Sequence, residues 1–242
     1  MKTNAAEKLD AAEEIKKKFE QLVLNVEIND SGEARVAATM LLTVLEQFGA
    51  VIHLSRAEYS SHSPIIVRSM LEGLANLINL CKDANYLDQL RFDNARNNAI
   101  TFAEYANDTS MQDDPKAIAL LNDWRNKEIP IRDKLSAKGL KKQDVIEKFR
   151  LAGIQSTYVA YRVFCSFAHN QLTTLMARHV DKLELSYLRD APAELKQSIL
   201  NIALSIVSQS INMLPNFSNV DAATVKQTID EADALWNSLS GN

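Results

Sequence analysis

Apolar residues return at helical spacing along almost the whole chain, and no stretch alternates strongly with a period of two. The first helix is predicted over 4–26, with Leu9, Ala12, Ile15, Phe19, Leu22 and Val23 on one face and lysines and glutamates opposite. A second, near Ser31 to Ala57, is apolar nearly all round, the pattern of a central buried helix. Ser63 is read as the N-cap of a third, with Pro64 in its first turn, running to about Lys82. A more polar helix covers about 84–107. Asp114 caps the next, which Pro115 opens and the "KEIPIR" stretch interrupts near Lys127. Shorter pieces follow over 129–152, broken at Pro130, Gly139 and Gly153. A helix is expected over 154–179, and "LELSYL" in the connector after it could form a short strand. Pro192 starts a helix to about Leu214, Pro215 stops it, and Asp221 caps the last one, which ends near Leu239.

The expected fold class is therefore all-α, a multi-helix bundle of long antiparallel helices in a single domain over 1–242. Its weakest seam falls at 129–153. Six Gly and five Pro in 242 residues support long uninterrupted helices. A hydrophobic share of 46% with 24% charged residues is ordinary for a globular chain and far from disorder. The net charge of -4 gives no global attraction for nucleic acid or an anionic membrane, so contact with either requires a local patch. No run is read as approaching the ~20 apolar residues of a membrane span, and the start has no signal-peptide core; a cytoplasmic protein is expected. Cys81 and Cys165 read as small buried hydrophobes, not a disulfide. No cysteine–histidine spacing suits zinc, so neither metal nor cofactor is expected.

Two apolar helices each carry one thin polar seam. With about 100° per residue, Gln155, Tyr158, Ser166, His169 and Thr173 all fall within about 40° of Arg162. In the third helix Arg68, Glu72, Asn76 and Asn79 occupy a sector of about 80°. A solvated outer face would be wider and richer in Lys and Glu, like that of the first helix. Narrow seams suit an internal polar network or a lined cleft as well as a wet face. The remaining histidines carry less: His53 reads as a packed core residue, His62 lies in a turn, and His179 ends a helix.

If Arg162 and His169 share a cleft, their chemistry is definite. A histidine can act as general base near neutral pH, and an arginine offers a permanent charge and a planar fork for phosphate. That pair can cleave RNA without a metal: the base deprotonates the 2′-hydroxyl and the guanidinium steadies the phosphorane. "RVFCSFAH" fits an R-x(4–6)-H pattern on a late helix. It resembles the HEPN superfamily, whose active members are metal-independent ribonucleases with composite sites at a dimer interface. More closely, "VRSMLEGLANLINL" and the later "YRVFCSFAHN" resemble an uncharacterised bacterial family of helical proteins with R-S-x-x-E and Y-R-x-x-x-S-x-x-H helices, over about 35–180. The N-terminal helix and the helices of 192–239 would pack on that core.

The resemblance implies Arg162 and His169 as catalytic residues, with Tyr161, Ser166 and Asn170 orienting them and Arg68 and Glu72 behind. It implies a homodimer and a role in stress or phage defence. Val163 stands where active members usually carry a polar residue. A second reading therefore stays open: a non-catalytic module binding a protein, a nucleotide or RNA through the same cleft. No Gly-rich phosphate loop, GxSxG elbow or HExxH motif offers a competing chemistry.

Overall fold

The computed structural model describes residues 5–57, 59–181, 184–187 and 191–239. Its ten α-helices are α1 (Ala5–Leu24), α2 (Gly32–Arg56), α3 (Ser63–Lys82), α4 (Tyr86–Asn107), α5 (Pro115–Ala137), α6 (Val145–Ala152), α7 (Tyr158–Ala168), α8 (Leu172–His179), α9 (Ala193–Asn212) and α10 (Ala222–Ser238). Two-residue strands, β1 (Val180–Asp181) and β2 (Glu184–Leu185), pair antiparallel with Val180 opposite Leu185. The strand suggested by "LELSYL" is thus present, though parts of the 180–191 connector and the first residue of the expected 4–26 helix lie outside the described residues. The fold class is all-α.

The chain divides into two compact units: 1–82 with 148–242, and 83–147. In the larger, α2 packs on α3 and α9, α3 on α9 and α7, and α1 on α2 and α10. Phe48, Val51, Val67, Met70, Leu74, Val207 and Ile211 fill this core. Leu9, Ala12, Ile15 and Phe19 of α1 are buried as its pattern requires. Lys8 is buried too, its ammonium 5.6 Å from the ring centre of Trp236. In the smaller unit α4 and α5 pack on each other, with Asn98 donating to Glu128 and Phe102 tilted on Trp124.

Side-chain caps set the start of three helices. Ser31, Asp114 and Asp221 each accept from backbone N–H groups in the first turn of α2, α5 and α10. Ser63 does not cap. A 3-10 turn over Ser60–His62 runs straight into α3, so Ser63 is already helical and its buried hydroxyl has no partner. The break expected near Lys127 is also absent: α5 continues through Pro130 to Ala137. Pro130 is exposed, so the carbonyl it leaves unbonded can turn to water, and packing on α4 holds the helix.

Two more expectations change. α2 is buried on one side only, leaving Thr39, Leu42, Thr43, Glu46 and His53 exposed at helical intervals; His53 is not a core histidine. Against the sequence reading, α2 and the stretch Ala193–Asn216 do reach the length and hydropathy of a membrane span. Both place their buried sides in the core described above.

Candidate functional site

The helix expected over 154–179 is two helices. α7 ends at Ala168, and Asn170 takes a left-handed backbone with φ 48°. The N–H of Gln171 then reaches back to the carbonyl of Ser166 at 3.1 Å, and the N–H of His169 to that of Cys165 at 3.0 Å. This is a Schellman closure with asparagine in the place usually held by glycine. α8 starts afresh at Leu172. Ser166 ties the two helices: its hydroxyl donates to the carbonyl of Val163 at 2.6 Å and accepts from that of buried Thr174 at 2.9 Å.

The two seams behave differently. On α3, Arg68 Nη2 lies 3.0 Å from Glu72 Oε1. Tyr161 of α7 donates its hydroxyl to the same Oε1 at 3.0 Å and accepts from Arg68 Nη2 at 3.3 Å. Arg68 Nε also donates to Cys165 Sγ at 3.2 Å, and its guanidinium stands 5.4 Å from the centre of the Tyr161 ring. The result is a closed polar cluster between α3 and α7. Burial is the main cause pushing the Tyr161 phenol up to about 12; Arg68 opposes it, while Cys165 and the Glu72 carboxylate add to it. Arg68 is held above its ordinary range, first by its bond to Tyr161. The Tyr161 ring stacks on Tyr158 at 5.9 Å and meets the edge of fully buried Phe149 at 5.3 Å. Asn79 lies one end further along α3 and serves the scaffold, donating to the carbonyl of Lys148 at 3.0 Å.

Arg162 and His169 lie elsewhere. Both are exposed, and neither side chain has a hydrogen bond or ion pair among the described residues. Tyr161, expected to orient them, points instead to Arg68 and Glu72. Asn170, also exposed, shapes the turn beside His169. Also exposed are Val159 (73%) and Val163 (52%) on α7 and Leu172 (73%) and Met176 (49%) on α8. The structure therefore brings Arg68, Glu72, Tyr161 and Cys165 together, and leaves Arg162 and His169 on an uncovered face of mixed character.

Two groupings were not foreseen. Cys165, expected as a small buried hydrophobe, is half-buried and accepts from Arg68; Cys81 is half-buried too, and burial pushes its thiol up to about 11. The signal for the first was there, since Tyr161 and Cys165 are four apart and share a face. The second is His62, whose Nε2 lies 2.8 Å from Arg178 Nη2. Arginine can only donate, so His62 accepts and its ring is neutral.

Because Glu72 and Arg68 keep 38% and 29% of their side chains exposed, Glu72→Ala is expected to cost about 1–2 kcal/mol in urea unfolding, between an exposed pair and a buried one. A loss under about 0.5 kcal/mol would place the pair among ordinary surface ion pairs. His62 has its pKa lowered by burial first, then by Arg178 and His179. The unfolded chain, titrating near 6.5, then binds more protons than the folded one. Stability contributed by neutral His62 is present above that pH and is lost as pH falls toward the folded pKa. Unfolding at about pH 7.5 and about pH 5.5 should show this loss, and His62→Gln should reduce it. An unchanged pH dependence in the variant would rule His62 out as its source.

No curated protein and no solved structure matches the chain. A family model does match residues 34–185, from the start of α2 through β2. That span contains both seams and every residue discussed on α3, α7 and α8, and it is well over half the chain: the protein belongs to the family of unknown function DUF5677.

Proposed function

We propose that this is a HEPN-like helical protein of the cytoplasm that pairs with a second copy of itself through α7 and α8, and that the Arg162 and His169 side chains so brought together cleave RNA without a metal ion. The observation that supports this is the character of the α7–α8 face. Arg162 and His169 have no partner within the described residues, and they are flanked by Val159, Val163, Leu172 and Met176, all in water in the single chain. Apolar side chains with an arginine among them are the composition of an interface.

A second copy would cover the apolar groups and place two arginines and two histidines along one line. There the guanidinium can hold a phosphate oxygen. The imidazole takes the proton of the 2′-hydroxyl, the 2′-oxygen attacks phosphorus, and the 5′-oxygen leaves. The Arg68–Glu72–Tyr161 cluster serves as the scaffold that fixes α7 on α3.

One observation favours the second reading, a binding module with no chemistry. Val163, adjacent to Arg162, projects an apolar group where a polar orienting group would serve catalysis. Pairing is common to both readings and is tested first. The wild-type chain is expected to sediment as a dimer. Val163→Lys is expected to raise the dimer dissociation constant at least ~100-fold, because burying an unpaired ammonium costs several kcal/mol. A wild-type monomer at all accessible concentrations would remove the composite site.

A further inference from the structure

We infer that the groove between α2 and α3 is a binding site for a primary alkylammonium group. The groove encloses about 280 Å³ in the larger unit. Thr39, Thr43 and Gln47 of α2 line one side and Ser69, Glu72 and Asn76 of α3 the other, with Met40 and Val44 between them. The helices approach closely here because residue 73 is glycine: a Cβ at that position would stand 3.2 Å from Val44 Cγ2.

The hydrogen-bonding state of these walls sets the ligand. Thr39 donates its hydroxyl to the carbonyl of Val36, and Thr43 donates to that of Thr39, each at 2.8 Å. Both hydroxyls are left as acceptors. Gln47 donates its amide to Ser69 Oγ at 3.0 Å, which leaves its carbonyl oxygen to accept. Glu72 Oε1 is occupied by Arg68 and Tyr161, and Oε2 has no partner among the described residues. The groove thus offers separate acceptors, one of them anionic, and no lysine or arginine among its described lining residues.

That set, with its anionic oxygen, favours a cation over phosphate or carboxylate, even though the Ser69 hydroxyl and the Gln47 and Asn76 amides can also donate. It also suits an ammonium better than a guanidinium. A guanidinium fork pairs with both oxygens of a carboxylate, and here one oxygen is already taken; separate acceptors on the two sides suit the divergent N–H donors of a point-like ammonium. The alkyl stem of the ligand would lie along Met40 and Val44. Arg68 offsets part of the Glu72 charge, so selection rests on directional hydrogen bonds and the affinity is modest, with Kd on the order of 1 mM. The site does not depend on the pairing of α7 and α8.

The same chemistry can come from a free amine or from a lysine side chain, and the test separates them. Chemical-shift titration of the intact protein with putrescine and, separately, with N-acetyl-lysine amide is expected to give saturable shifts at α2 and α3. Tighter binding of the diamine identifies a free amine, and tighter binding of the lysine derivative a protein side chain. N-acetyl-arginine amide, whose one cation is a guanidinium, should bind more weakly than N-acetyl-lysine amide. Glu72→Gln keeps the side-chain shape and should weaken putrescine at least ~10-fold, the loss of one charge-assisted hydrogen bond. Thr43→Val leaves the Arg68 cluster untouched and should weaken it a few-fold. Absence of saturable binding by wild type, equal binding of the arginine and lysine derivatives, or affinities unchanged in both variants would each overturn the assignment.

Discussion

His169→Ala is expected to reduce RNA cleavage by ~10² to 10⁴, the usual contribution of a general base, while leaving the unfolding midpoint unchanged. The two halves of this expectation have one source. His169 sits at the C-cap of α7, exposed, with its side chain unbonded within the described residues. Its removal therefore opens no cavity and strands no buried partner, and a surface substitution of that kind shifts stability by no more than ~0.5 kcal/mol. A loss of cleavage accompanied by a loss of several degrees in Tm would mean that the variant had damaged the fold and that no chemistry had been removed. Parallel urea curves for wild type and variant decide between them.

Phe149→Ala is expected to have the largest effect on stability, about 3–5 kcal/mol in urea unfolding. Its ring is fully buried and meets Tyr161 and Tyr158 edge-on at 5.3 and 6.2 Å. Deleting it removes the wall against which Tyr161 stands, and Tyr161 is the α7 member of the cluster with Arg68 and Glu72. The late-titrating phenol should therefore move down from about 12 toward the ordinary tyrosine range as burial is relieved. A loss below about 1 kcal/mol would show that the site collapses around the smaller side chain without consequence.

The helical class and the caps at Asp114 and Asp221 were readable because they rest on local chemistry. Both aspartates place a side-chain acceptor within reach of their own helix, and no distant residue is needed to see it. Pro130 misled because its cost of ~3 kcal/mol is a local quantity, whereas the packing of α5 on α4 that offsets it is not. The break at Asn170 was invisible for a related reason: it uses neither Gly nor Pro, and only the left-handed backbone of asparagine marks it.

The site was half readable. Helical spacing identified the Arg68–Glu72 pair and the line through Arg162 and His169. It could not say which side of α7 meets α3. Tyr161 is about 100° round from Arg162, which turns it inward to Glu72 while Arg162 faces water. Which face packs is decided by the core formed from residues far apart in sequence, and one chain's periodicity does not contain it.

The pairing of Arg162 and His169 into a metal-independent ribonuclease is tested most directly by the ends of its products. Purified protein incubated with single-stranded and structured RNAs in EDTA is expected to give fragments ending in a 2′,3′-cyclic phosphate, since in the proposed reaction the attacking oxygen is the substrate's own 2′-hydroxyl. No cleavage by a confirmed dimer, or fragments bearing 5′-phosphates, would contradict it.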